Sequence, residues 1–169
     1  MHSTKTKNLV LCSLFTALTI VATYINFRLP IPSYGGLIHL GSAILFVAAF
    51  VLKPNHAAIS VAVGMTLFDV LGGWPLWAPF TFVIRFIQVY LFSSLIQNKK
   101  NHYGIIFTAY ILCCLWEMAG YYVAEGIIYA NWVAPLASMP SELIHNVIGI
   151  LAGLPLAILA QKALKKTIL

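Results

Sequence analysis

The side chains that could do chemistry in this sequence are few, and helical spacing groups them. Glu117, Tyr121 and Glu125 recur at every fourth position, so a helix places them along one stripe. His145 and Asn146 stand together on another apolar segment. Carboxylate, phenol, imidazole and amide groups can hold a polar ligand through several hydrogen bonds. We therefore take Glu117, Tyr121, His145 and Asn146 as candidate ligand-binding groups.

A second set of polar residues surrounds this candidate group. Arg85 lies inside an apolar segment, on the helix face that also carries Thr81 and Gln88. Asp69 ends the preceding apolar segment, and we predict that Asp69 and Arg85 form a structural ion pair that fixes the frame of the site. Arg85 is also a candidate for ligand contact. His39 begins a further segment, where it either holds a neighbouring loop or contacts the ligand.

Trp77 and Trp132 are the candidate stacking residues. Trp77 directly precedes a proline-containing helix start, and Trp132 lies in a proline-rich loop. Two such rings suit a flat heteroaromatic ligand. Tryptophan also anchors proteins at the membrane–water interface, and this alternative stays open for Trp132.

These groups sit in a very apolar chain. Its 169 residues are 61% hydrophobic and only 8% charged, where soluble domains carry about 25% charged residues. The mean hydropathy is +0.91. This composition predicts an integral membrane protein. The net charge of +6 does not indicate nucleic-acid binding, because the basic residues stand at the ends of apolar segments, as topology signals do.

The chain is predicted to form a single domain, residues 1–169, with an all-α fold of six transmembrane helices. Ser141 is the expected N-cap of the last helix, and residues 28–36 are expected to form a turn. The predicted helices cover about 8–27, 37–52, 55–71, 79–96, 103–128 and 141–161.

Both termini are predicted to be cytoplasmic, because this orientation places most basic residues inside. Losing one helix from the count would scatter the lysines onto both sides. All four acidic residues then fall in the outer half of the bundle. Since a charge facing lipid is costly, we expect a pocket that opens outward. The basic residues assigned to the inside are Lys5, Lys7, Lys53, Lys99, Lys100, Lys162, Lys165 and Lys166.

Sequence motifs of motors, metalloenzymes and hydrolases are absent. Gly-x-x-x-x-Gly-Lys-Ser/Thr, His-Glu-x-x-His and Gly-x-Ser-x-Gly do not occur. We expect no cofactor, no metal site and no enzymatic activity. Three alternatives stay open: a membrane enzyme with Glu117 and His145 as acid and base, an ion-coupled carrier with a proton site on Asp69 or Glu117, and a scaffold without a ligand.

Three short segments resemble a known family. They are Gly35-Gly-Leu-Ile-His-Leu-Gly-Ser42 with the preceding Pro30-Ile-Pro, Phe68-Asp69 leading to Gly72-Gly-Trp, and Trp77-Ala-Pro-Phe-Thr-Phe-Val-Ile-Arg85. Together with the size and helix plan of the whole chain, they resemble the S components of energy-coupling factor (ECF) vitamin transporters. The resemblance is to the riboflavin-transporter-like branch, which includes hydroxymethylpyrimidine and pyridoxine members.

The resemblance implies a substrate-capture subunit of an ECF-type ABC importer. Its ligand would be a small water-soluble vitamin or precursor, such as a hydroxymethylpyrimidine or pyridoxine-like compound, with riboflavin and pantothenate as alternatives. Its partners would be a transmembrane T subunit and two cytoplasmic ATPase subunits. The family docks through small residues of the first helix, and Ser13 and Ala17 match that pattern in relaxed form. Packing of these residues within the bundle is the alternative.

Overall fold

A computed structural model of the chain describes residues 2–28, 37–100 and 102–168, without the side chains of 2–4 and 164–168. Helices dominate it, as the apolar composition predicts, because a backbone in lipid must satisfy its own hydrogen bonds. The expected turn lies outside the described residues except for Arg28. The described residues form six α-helices, which are α1 (His2–Tyr24), α2 (Gly41–Val51), α3 (Pro54–Leu71), α4 (Ala78–Ile96), α5 (Tyr103–Ile128) and α6 (Met139–Ile168), with a 3₁₀ turn at Ala134–Ala137.

A small β-hairpin, which the sequence analysis did not predict, lies at one end of the bundle. Strands β1 (Asn26–Arg28) and β2 (Leu37–His39) pair antiparallel, with Phe27 opposite Ile38. The hairpin shortens both flanking helices relative to the prediction, since α1 ends at Tyr24 and α2 starts at Gly41. Three-residue strands beside a proline- and glycine-rich segment give no readable alternation in the sequence.

Helix α6 begins earlier than predicted and corrects the expected cap. Ser141 lies inside the helix, and its hydroxyl donates to the carbonyl of Ser138 at 2.6 Å. The helix starts at Met139, directly after the 3₁₀ turn at Ala134–Ala137. A serine followed directly by an acid is typical of an N-cap in sequence, but the N–H groups of Ser141 and Glu142 already donate to the carbonyl of Ser138 at 3.1 Å.

A glycine ends α3 and fixes the position of its last turn. Gly73 has a φ of 87°, a left-handed conformation that glycine adopts without steric cost. The amide of Trp74 donates to the carbonyl of Asp69 at 2.7 Å, which is the six-to-one bond of a Schellman motif. The chain therefore turns sharply into α4 and leaves Asp69 at the end of the bundle that carries the hairpin.

Close packing of α2 against α6 depends on small residues. A Cβ placed on Gly153 would lie 2.9 Å from the Cα and the carbonyl oxygen of Ala43 and 2.6 Å from the ring of Phe46. Small residues at such contacts let helices approach closely in a membrane protein, where no hydrophobic force drives the association.

We expect Gly153→Ala to destabilise the protein relative to Gly104→Ala. A Cβ on Gly104 would meet nothing within 4 Å, so both variants gain helix propensity but only Gly153→Ala overpacks the α2–α6 contact. Overpacking costs about 1–3 kcal/mol. Thermal unfolding midpoints in detergent would measure the difference, and equal midpoints would show that the helices separate without cost.

Within the described part of the chain, four helices are long and apolar enough to cross a membrane: Lys5–Tyr24, Ala78–Ile96, Tyr103–Ile128 and Met139–Ala163. Helix α2 has only 11 residues and rises about 16 Å, roughly half of a hydrocarbon core. It continues into α3 after Lys53, whose extended backbone precedes Pro54 at the first turn of that helix.

Candidate ligand-binding cavity

A cavity of about 110 Å³ opens at the end of the bundle that carries the hairpin. The end of α1, strand β2 and the adjoining ends of α3, α4, α5 and α6 all contribute to its wall. Its lining combines aromatic rings with charged and hydroxyl groups, the usual chemistry of a small-molecule site. The lining residues are Thr23, Leu37, His39, Met65, Phe68, Asp69, Trp74, Trp77, Thr81, Arg85, Tyr121, Glu125, Tyr129, Glu142 and His145.

A buried ion pair forms the floor of the cavity. Arg85 Nη1 lies 2.5 Å from Glu117 Oε1, and the two side chains are 3% and 1% exposed. Gln88 joins both groups: its Oε1 accepts from Arg85 Nη1 at 2.9 Å, and its Nε2 donates to Glu117 Oε2 at 2.5 Å. Arg85 on α4 and Glu117 on the facing helix α5 therefore neutralise each other's charge below the cavity.

This pairing corrects the predicted partner of Arg85. The sequence analysis paired Arg85 with Asp69, but the salt bridge of Arg85 is with Glu117. Arg85 lies two turns inside α4, level with the middle of α5, whereas Asp69 is held at the end of α3 by the glycine turn. Asp69 lines the cavity, and its Oδ2 is buried without a hydrogen-bond partner among the described residues.

Two histidines connect the hairpin to helices α2 and α6. His145 Nδ1 lies 3.2 Å from the carbonyl oxygen of Leu37, and its Nε2 lies 2.5 Å from Ser42 Oγ. A carbonyl only accepts, so Nδ1 donates, and the neutral ring then accepts the hydroxyl proton of Ser42. His39 meets His145 edge to face at 4.4 Å between ring centres. The predicted residues His39 and His145 thus stand together at the cavity wall.

Aromatic rings form another part of the cavity wall. Trp77 lies 6.3 Å from Tyr121 and 6.1 Å from Tyr129, measured between ring centres. The guanidinium of Arg85 stands 5.2 Å over the Tyr121 ring, and Arg85 Nε donates to the Tyr121 hydroxyl at 3.2 Å. The ion pair at the floor therefore also orients this wall.

Three of the predicted ligand-binding residues do not line this cavity. Glu117 and Asn146 lie below it, beside a second void of about 10 Å³, which is room for one water molecule. Asn146 accepts from Cys114 Sγ at 3.3 Å and donates to the carbonyl of Glu142. Trp132 is 53% exposed and packs beside Tyr122 outside the cavity.

Glu125 and Glu142 line the cavity although the sequence analysis did not select them for ligand contact. Both stand on the helix stripes of predicted site residues, Glu125 four residues after Tyr121 and Glu142 three before His145. That spacing was the available signal. Glu125 Oε2 accepts from Ser138 Oγ at 2.6 Å, and Ser138 belongs to the turn that precedes α6.

The described lysine side chains lie at the opposite end of the bundle from the cavity. Lys5 and Lys7 are near the start of α1, whose other end reaches the cavity through Thr23. Lys53 separates α2 from α3, and Lys100 donates to the carbonyl of Phe50 at 2.7 Å. Among the described side chains, the lysine-bearing end and the ligand-binding end of the bundle are thus distinct.

Comparison with known proteins identifies the family of this chain. The family model described as "ECF-type riboflavin transporter, S component" matches residues 3–166. The chain belongs to this family. The S component therefore is a multi-pass membrane protein of a transport system and not an enzyme, and the resemblance found in the sequence is confirmed.

Two curated relatives and one solved structure resemble the S component over most of its length. An uncharacterized protein of Pyrococcus woesei is 27% identical over 143 residues, covering 85% of this chain and 95% of its own. The thiamine precursor transporter HmpT of Lactococcus lactis subsp. cremoris is 26% identical over 163 residues, covering 96% and 92%. The structure of the S component of a bacterial ECF transporter matches with a TM-score of 0.73 at 17% identity, covering 97% and 98%.

Proposed function

We propose that this S component captures a small, single-ring, water-soluble vitamin or vitamin precursor in the cavity and delivers it to an ECF transporter. The observation that carries the proposal is the cavity itself, where an aromatic wall faces polar groups from β2, α3, α5 and α6. Such a site holds a flat ring by its faces and a polar edge by hydrogen bonds.

The size of the cavity favours one ring. An apolar cavity of about 150 Å³ in another protein holds benzene, and this cavity measures about 110 Å³. A three-ring flavin exceeds that space, although the family description names riboflavin. A hydroxymethylpyrimidine or a pyridoxine-like ring fits better, in keeping with the name of the relative HmpT. Riboflavin and pantothenate are the alternatives.

The predicted site residues that line the cavity each have a proposed role. Trp77 stacks on the ring of the ligand, while Tyr121, His145 and His39 offer hydrogen bonds at its edge. Arg85 contacts the ligand from the floor and is held there by Glu117. The remaining predicted groups, Asn146 and Trp132, act from outside the cavity, Asn146 by holding the start of α6 through the Glu142 carbonyl.

The proposed orientation places the cavity outside and both termini in the cytoplasm, with six membrane helices of which α2 is short. The separation of the described lysines from the cavity supports this orientation through the positive-inside rule. A T subunit and two ATPases would be the partners. Ser13 and Ala17 are exposed on α1, while its other face packs on α3, where Thr16 donates to the carbonyl of Ser60 at 3.1 Å. The exposed face is the proposed docking surface.

Binding to the purified chain tests the proposal. We expect 4-amino-5-hydroxymethyl-2-methylpyrimidine or a pyridoxine-type ring to bind with a micromolar or lower Kd by calorimetry, in the absence of any partner subunit. Riboflavin and pantothenate serve as comparison ligands. Failure of every water-soluble vitamin to bind below micromolar concentration would refute capture. Uptake into liposomes by this chain without an ATPase would instead favour an ion-coupled carrier.

A further inference from the structure

Carboxyl groups outnumber cations among the described residues that line the cavity. Asp69, Glu125 and Glu142 contribute three carboxyl groups, and Arg85 is the only cation among the described lining residues. Glu117 already neutralises Arg85 from below at 2.5 Å. The cavity therefore presents three carboxyl groups without a matching cation of its own, within the part of the chain that the structure describes.

The two histidines of the wall do not supply the missing positive charge. Burial lowers the pKa of His39 well below its usual value, so its ring is neutral near pH 7. The contacts of His145 with Leu37 and Ser42 are both satisfied by its neutral ring. The wall thus adds hydrogen-bonding groups but no counter-charge to the carboxyl groups.

Two buried polar atoms at the cavity lack partners in the described structure. Asp69 Oδ2 and His39 Nδ1 are both buried without a hydrogen bond, and the His39 side chain is only 9% exposed. A buried polar atom left without a hydrogen bond is destabilising, so we expect a molecule bound in the cavity to supply the partner. Both residues line the same cavity, and the ligand can supply these hydrogen bonds.

We propose that the cavity selects a ring that carries an amino group or a protonated ring nitrogen, and that Asp69 and Glu142 make this selection. The inference rests on the proposed function and adds the chemical class of the ligand. Glu125, the third carboxyl group, is less available to a ligand because Ser138 already donates to it at 2.6 Å. The Glu142 carboxylate has no hydrogen bond or ion pair among the described residues that would compete with a ligand. An anionic ligand such as pantothenate is disfavoured.

Matched ligand pairs test the selection on the intact purified chain. The first pair is 4-amino-5-hydroxymethyl-2-methylpyrimidine and its 4-oxo analogue, and the second is pyridoxamine and pyridoxine. Each pair keeps the ring and changes the group offered to the carboxylates. We expect the amino member of at least one pair to bind about tenfold or more tightly than its partner, since hydrogen bonds to charged groups are strong.

The substitutions Asp69→Asn and Glu142→Gln test whether these two residues cause the preference for the amino compounds. Each substitution keeps the size of the side chain. Each is expected to lower the ratio of the two affinities within the preferred ligand pair at least several-fold, mainly by weakening the binding of the amino compound. Glu125→Gln is the matched comparison and is expected to change the ratio less. The ratio separates selection from folding, since a misfolded variant loses both ligands equally. Thermal unfolding of each variant accompanies the titration.

The outcomes distinguish this inference from the proposed function. If the amino member binds no more tightly than its partner in both pairs, or if pantothenate binds more tightly than both amino compounds, the selection is overturned while capture stays in place. An unchanged ratio in both Asp69→Asn and Glu142→Gln would likewise overturn the role of these residues. Absence of binding by every compound, riboflavin included, would refute capture and the selection together.

Discussion

Arg85→Met is expected to cause the largest loss of stability of any single change at this site. The substitution leaves the Glu117 carboxylate buried without its counter-charge, at 1% exposure. Removing one partner of a buried ion pair typically costs about 3–5 kcal/mol. It also removes the donor to Gln88 Oε1 and the donor to the Tyr121 hydroxyl. Thermal or denaturant unfolding in detergent micelles would measure the loss.

The double variant Arg85→Met/Glu117→Gln is the control for that experiment. With both charges gone, Gln88 can still hydrogen-bond the new amide, and we expect most of the lost stability to return, because an ion pair replaced as a unit is often neutral in stability. If the single variant is as stable as the parent protein, the buried pair does not hold the floor. If Asp69→Asn rescues Arg85→Met instead of Glu117→Gln, the originally predicted partner of Arg85 is the relevant one.

Helical spacing predicted which residues share a face, but it could not pair one face with another. The stripe of Tyr121 and Glu125 on α5 and the stripe of Glu142 and His145 on α6 both reach the cavity. The partner of Arg85 depended on its depth along α4 relative to α3 and α5. That depth follows from the glycine turn after α3, and the two adjacent glycines do not reveal the geometry of this turn in the sequence.

The two residues predicted to bind the ligand but found below the cavity, Glu117 and Asn146, show the same limit. Their polarity and helical position indicated that they face the bundle interior, and both are buried. Glu117 stands one helical turn from Tyr121 on a helix whose bounds were predicted correctly, and helical spacing does not show at which turn a cavity ends. The hairpin was unreadable for a different reason, since its register depends on tertiary contacts of His145 with Leu37.

Trp77→Ala is expected to cause the largest loss of ligand affinity without a comparable loss of stability. Trp77 lines the cavity beside Tyr121 and Tyr129, and stacking of a flat ring on an aromatic side chain contributes about 1–3 kcal/mol by alanine substitution. Affinity for the single-ring ligand should therefore fall by roughly 5- to 150-fold. Trp77→Phe, which keeps an aromatic face, should retain most of it. Calorimetric titration of the purified variants would measure both.

Trp132→Ala distinguishes stacking by Trp77 alone from the alternative in which both predicted tryptophans stack on the ligand. Trp132 is 53% exposed, and its backbone carbonyl accepts from the Tyr122 hydroxyl at 2.8 Å, a bond that alanine keeps. We expect the affinity of this variant to stay within about twofold, because a contact outside the cavity removes no ligand-facing area. A loss equal to that of Trp77→Ala would mean that the loop before α6 closes over the bound ligand and brings Trp132 onto its ring.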